Sequence, residues 1–151
     1  MHQSFQKVLP PVLFVLLILP LIALQIYHPD FGTMREERSL PWDIVLPFGL
    51  ALLIIGRLQF KKHNAEIMTF SKPRNLVTSG VYQISRNPMY LGFALLLLAA
   101  ALYVNTWCAL IAPLVFIAVA NWYYIPFEEK AAKEEFGVAY ETYQKRVRRW
   151  I

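Results

Sequence analysis

The chain has 151 residues, of which 57% are hydrophobic, 15% aromatic and only 17% charged, with a net charge of +5. Soluble domains average about 25% charged residues, and the apolar residues here are also clustered, so an ordinary water-soluble domain is excluded. The single cysteine, Cys108, excludes an intrachain disulfide and a cysteine-based metal site.

Length predicts one domain over residues 1–151, and the charge-free runs divide it. Val8 to Tyr27 carries no charge in 20 residues, about the length a helix needs to cross a bilayer core. This run exceeds a signal-peptide core and no small-residue cleavage site follows it, so a retained span over 8–27 is expected. A second span is expected over 42–60. Residues 61–87, "KKHNAEIMTFSKPRNLVTSGVYQISRN", are polar and punctuated by Pro73, Gly80 and, just beyond, Pro88. Long structured connections of this kind often carry function.

Asn87 to Phe127 contains no charge in 41 residues. That length makes two spans, about 88–104 and 106–127, joined by a tight turn at "NTW", 105–107. Cys108, inside the fourth span, is expected to pack as a small apolar side chain. Pro10, Pro11, Pro20 and Pro47 fall inside the first two spans, where neighbouring helices can satisfy the freed carbonyls.

The tail shows a helical stripe at Ala132, Phe136, Ala139 or Tyr140, Tyr143, Val147 and Trp150, opposite a charged face. It predicts an amphipathic helix lying on the cytoplasmic surface or capping the bundle, with Gly137 as a point of interruption and Trp150, Arg148 and Arg149 as a headgroup-level anchor. The expected fold is therefore all-α: a polytopic membrane protein with four transmembrane helices and a cytoplasmic amphipathic C-terminal helix.

Charge sets the orientation. Residues 28–41 hold two basic and three acidic groups, whereas 57–88 hold six basic groups against Glu66 alone. The positive-inside rule places both termini and 61–87 in the cytoplasm of a multi-pass cell-membrane protein, with 28–41 outside. Membrane lipids are expected partners and nucleic acid is not. His2, His28 and His63 lack ligand spacing, so no metal is expected.

Two polar groups stand at the cytoplasmic edge of this apolar chain: "LVTSGVYQISRNPMYLG", residues 76–92, and the adjacent carboxylates Glu128 and Glu129. Taken alone, Arg86 reads as a snorkelling headgroup contact, Tyr82 and Tyr90 as an interfacial aromatic belt, and the glutamates as a solvated helix N-terminus. Together, in this order and with one helical hairpin between them, they carry more. The pattern Gly80-x-Tyr82, Arg86-Asn87-Pro88-x-Tyr90-x-Gly92, then Glu128-Glu129 and Phe136-Gly137-x-x-Tyr140-x-x-Tyr143 resembles the membrane methyltransferases of the isoprenylcysteine carboxyl methyltransferase and phospholipid methyltransferase family. The resemblance covers about residues 57–151.

The resemblance implies an S-adenosylmethionine (SAM) cofactor held by segments 61–92 and 127–150, and a lipophilic acceptor taken from the bilayer. Cofactor contacts are expected from Asn75, Leu76, Val77, Gly80, Tyr82, Asn87, Pro88, Met89, Tyr90, Glu128 and Glu129. A carboxylate such as Glu128 suits a ribose diol, and tyrosine faces suit an adenine or a sulfonium cation. Arg86, Asn87 and Glu129 are expected to serve the transfer itself. Some family members place an arginine before the glutamate pair. Here "ANWYYIPFEE" offers Asn121 and Tyr124 as acceptor contacts, which leaves carboxylate O-, amine N- and thiol S-methylation open. A nicotinamide-dependent reductase related to sterol reductases and a non-catalytic membrane scaffold are the other classes compatible with the tail. There is no Gly-x-Gly-x-x-Gly and no strand–helix alternation, which excludes the soluble Rossmann-type architecture.

Overall fold

Prolines open two of the main helices. Pro10 and Pro11 sit at the start of α1 (Pro10–Tyr27), and Pro88 starts α3 (Pro88–Val104), where a missing N–H costs nothing. Between them lies α2 (Trp42–Lys62), with Asp43 in its first turn and Lys61 and Lys62 in its last, each favourable to the helix dipole. The computed structural model describes residues 8–32, 34, 41–63 and 73–151. Residues 64–72 of the basic connection and 35–40 of the opposite loop lie outside the described residues.

Asn105 ends α3 in the left-handed conformation (φ 57°), its N–H bonded to Ala101 O. The turn is tied to the 28–34 loop by Thr106 Oγ1 donating to Phe31 O (2.8 Å) and by Met34 N–H donating to Asn105 O (2.8 Å). The chain then runs helically from Trp107 to Phe136 over 30 residues. This rod comprises a 3₁₀ turn at Trp107–Leu110, α4 (Ile111–Val119), a π turn at Ala120–Tyr124 and α5 (Ile125–Phe136). Gly137 (φ 49°) breaks the tail helix, and α6 (Val138–Arg146) follows in a new direction. The tail is thus two helices. Its stripe is inward-facing: Tyr140, Tyr143 and Val147 pack with Leu76, Ala132 and Phe136.

Among the described residues, three helices are long and apolar enough to cross a membrane: Pro10–Tyr27, Trp42–Lys62 and Trp107–Phe136. α3 is apolar but, at 17 residues, shorter than the others. The last rod continues well beyond residue 127, where a fourth span was expected to stop. Cys108 is exposed rather than packed, because it falls on the short 3₁₀ turn that caps the bundle.

α3 lies at the centre. Tyr90, Ala94, Leu97, Ala101 and Val104 are buried together with Phe116, Ala120, Tyr124 and Ile125 of the final rod. A second face of α3 meets α2 at close range through glycines. A Cβ on Gly92 would stand 2.9 Å from Gly49 O and 2.8 Å from Leu53 Cγ, and one on Gly49 would stand 3.1 Å from Gly92 O. Small residues allow backbones to approach where lipid supplies no hydrophobic drive between helices. The outward faces of α1 and α2 expose Leu16, Leu19, Ile26, Ile44 and Phe48, among others, the composition a lipid-facing surface takes.

Gly92→Ala should push α2 from α3 and lower stability by about 1–3 kcal/mol. A thermal-unfolding scan in detergent checks this. Gly137→Ala, with nothing within 4 Å of its Cβ position, should cost only the strain of its positive φ.

Candidate functional site

The polar connection is fixed by the end of α2 and by the tail. His63 O accepts from Asn75 Nδ2 (2.8 Å), and Asn75 is followed by the extended stretch 76–78. Gly80 turns the chain at φ +59° and backs onto the side chain of Gln59. A Cβ there would displace the end of the Gln59 side chain, and the positive φ itself favours glycine. A 3₁₀ turn at Gly80–Gln83 then presents Tyr82, whose ring packs on Phe60 with centroids 5.1 Å apart. Tyr143 Oη donates to Tyr82 O at 2.6 Å.

From here the chain enters a network centred on Glu129. Arg86 Nη2 donates to Glu129 Oε1 (2.8 Å), and Arg149 donates to Glu129 from Nη2 (2.7 Å) and Nε (3.2 Å). The Arg86 and Glu129 side chains are only 12% and 13% exposed. Residues 147–150 are drawn across the start of α3 as a strap: Arg86 N–H donates to Arg148 O (3.0 Å) and Asn87 Nδ2 to Arg149 O (2.9 Å). Asn121 Oδ1, on the π turn, accepts from Arg149 Nη1 (3.1 Å) and Trp150 Nε1 (3.4 Å). π turns recur at functional sites because the extra residue re-aims side chains.

Glu128 has different partners. Tyr90 Oη donates to its Oε1 at 2.8 Å, and the Tyr90 ring stacks on Tyr124 with centroids 5.9 Å apart and planes inclined by 4°. Burial pushes the Tyr140 phenol up to about 12, with Glu129 adding to the shift and Arg86 opposing it. Burial likewise raises Tyr82 and Tyr143. These phenols are neutral hydrogen-bond donors at physiological pH.

All of this surrounds a cavity of about 500 Å³, within the range of small-molecule and cofactor sites. Asn75, Leu76, Val77, Tyr82, Arg86, Asn87, Pro88, Met89, Tyr90, Glu128 and Glu129 line it. Three of the residues expected to touch ligand are not part of the cavity lining. Gly80 shapes the turn behind Tyr82. Tyr124 is 1% exposed beneath Tyr90, and Asn121 is committed to Arg149 and Trp150. Both act at one remove. Trp150 packs against the bundle core, and Arg149 is paired with Glu129, so neither is a free headgroup anchor.

The sequence did not point to the opposite wall. Leu50, Leu53, Ile54, Arg57 and Phe60 of α2 and Pro10 and Pro11 of α1 also line the cavity, with Phe93, Phe136, Tyr140 and Tyr143. The i, i+3, i+4, i+7, i+10 spacing from Leu50 to Phe60 marks one helix face, but its aliphatic part gives no reason to choose that face over the others. Arg149 likewise had no sequence signal beyond its charge.

Residues 44–139, more than half of the chain, match the family model described as phospholipid methyltransferase. The chain is 33% identical over 114 residues to Protein-S-isoprenylcysteine O-methyltransferase B of Arabidopsis thaliana, covering 66% of this chain and 55% of the plant protein. It is 38% identical over 63 residues to an uncharacterized protein of Haemophilus influenzae, covering 42% of this chain and all of that protein. With its apolar helices, this is a membrane methyltransferase. The chain belongs to the phospholipid methyltransferase family. The strap, 147–150, lies beyond the residues that the family model matches.

The three-group network makes a specific prediction. Arg149→Gln and Glu129→Gln should each destabilise the protein, by about 1.5–3 kcal/mol where a charge-assisted hydrogen bond is lost. The double variant should fall short of their sum by more than about 0.5 kcal/mol. Unfolding midpoints of the two singles and the double variant measure the coupling. Strict additivity would show that the contact contributes nothing.

Proposed function

We propose that the protein is a SAM-dependent methyltransferase of the cell membrane that methylates an amphiphile drawn from the bilayer. The observation that carries this is the make-up of one cavity, which brings together carboxylates, amides and phenols with apolar side chains of α1, α2 and α3. A polar cofactor from the cytosol and an apolar acceptor from the membrane need such an arrangement. The family description supports a phospholipid acceptor, and the name of the plant relative supports an isoprenylcysteine carboxylate.

The residues present suit SAM. Glu128 would accept from the ribose hydroxyls, Tyr82 and Tyr90 would face the adenine or the cationic sulfur, and the backbone of Asn75, Leu76 and Val77 would meet the remaining polar edge. Arg86 Nε is buried without a hydrogen-bond partner, a donor that an anionic ligand group would satisfy. Bound SAM supplies an electrophilic methyl group. The protein's own task is then to orient the acceptor and exclude water, which asks for positioning rather than for an acid or base. Arg86, Asn87 and Glu129 serve this by locking the strap over the site. Asn121 and Tyr124 support it through Arg149 and Tyr90. In this proposal α3 is a short fourth span, and both termini and the strap face the cytoplasm.

Calorimetry with S-adenosylhomocysteine should show binding to the wild type, weakened about tenfold or more in Glu128→Ala, since bonds to a charged group are worth about 1.5–3 kcal/mol. Methyl-labelled SAM and a total lipid extract should yield a labelled lipophilic product by mass spectrometry. A folded wild type that binds no S-adenosylhomocysteine would refute the proposal. For orientation, single cysteines at Asp30 and Lys145 in a Cys108→Ser background should react with an impermeant reagent from opposite sides. Labelling from the same side would exclude four spans.

A further inference from the structure

Four charged side chains line the cavity among the described residues: Arg57, Arg86, Glu128 and Glu129. Three are accounted for within the protein. Glu128 accepts from Tyr90, and Arg86 and Glu129 pair with each other and with the strap. Arg57 has no carboxylate or hydrogen-bond partner among the described residues, yet it stands on the same α2 face as Leu50, Leu53 and Ile54. That face runs from aliphatic to cationic over seven residues, an axial rise of about 10 Å. A guanidinium in this setting matches a planar anion, to which it can donate two parallel hydrogen bonds.

We propose that Arg57 binds the anionic head, a carboxylate or phosphate, of an amphiphilic acceptor whose chain lies along Leu50, Leu53 and Ile54. This rests on the methyltransferase reading and adds to it the charge of the acceptor and the residue that selects it. The cofactor's needs are met elsewhere, by the connection 75–90 and by Glu128. α2 faces the bilayer, and only a ligand entering from the membrane side meets its aliphatic residues before its arginine.

The test is a titration in neutral detergent followed by native mass spectrometry. Dodecyl phosphate, dodecanoate and uncharged dodecanol are compared on wild type, Arg57→Gln, Arg57→Lys and a Lys61→Gln/Lys62→Gln control, with S-adenosylhomocysteine titrated in parallel. Wild type should bind at least one anionic probe about tenfold or more tighter than dodecanol, as expected for a charge-assisted pair. Arg57→Gln should erase that preference, Arg57→Lys should retain part of it, and the control should keep it. S-adenosylhomocysteine affinity should be unchanged throughout, and the better of the two anions identifies the head group. A preference that survives Arg57→Gln overturns the proposal. So does equal loss in the lysine control, which marks a general surface effect, and so does loss of S-adenosylhomocysteine affinity in Arg57→Gln, which assigns Arg57 to the cofactor. Absence of S-adenosylhomocysteine binding in wild type, with the anion preference intact, refutes the methyltransferase reading alone.

Discussion

A nearly buried carboxylate with two guanidinium partners organises this protein. Glu129 is nearly buried, and a buried charge without compensation costs several kcal/mol. It is compensated from two directions, by Arg86 at the end of the polar connection and by Arg149 near the C-terminus. Segments separated by 43 and 20 residues from Glu129 are thereby brought to one point. Buried ion pairs are poor sources of net stability but demanding about geometry. This one fixes where the connection, the final rod and the strap meet. Asn87 joins them by donating its side-chain amide to the strap, so it does not cap the helix it precedes.

The second determinant is how closely α2 approaches α3. The paired glycines 49 and 92 bring the backbones together, and Gly56 continues the seam toward the C-terminal end of α2, where its Cβ position lies against Met89 and near the Tyr82 hydroxyl. With the helices this close, the next residues of α2 wall the cavity. Packing in the apolar layer therefore determines the shape of the polar site above it.

Local signals in the sequence located the helices because charge-free length is a local property. The spans 8–27, 42–60 and 88–104 differ from α1, α2 and α3 by two residues or fewer at each end. The polar motif and the glutamate pair were likewise visible as charge and proline set against apolar runs. Partners were not. Nothing near Arg149 announces that it meets Glu129 and Asn121, and along α2 both faces are aliphatic until Arg57, whose charge counts in the sequence as part of the basic connection. The tail stripe was legible, but its destination was not. An amphipathic pattern reads the same whether its apolar side meets lipid or, as here, Leu76 and its neighbours. Tyr124 shows the same limit: an aromatic beside two others, Trp122 and Tyr123, of which it alone is buried.

The unbroken course of the helix from Trp107 to Phe136 works as a depth gauge. Trp122 is 77% exposed and Tyr123 46%, and amphipathic rings of this kind settle at the headgroup level. Glu128 follows Trp122 by six residues on the same rod, roughly 9 Å along its axis. Wherever lipid composition sets the level of those two rings, the carboxylates are carried with them at a constant height. A change in bilayer thickness that moves the rings therefore moves the carboxylates with them.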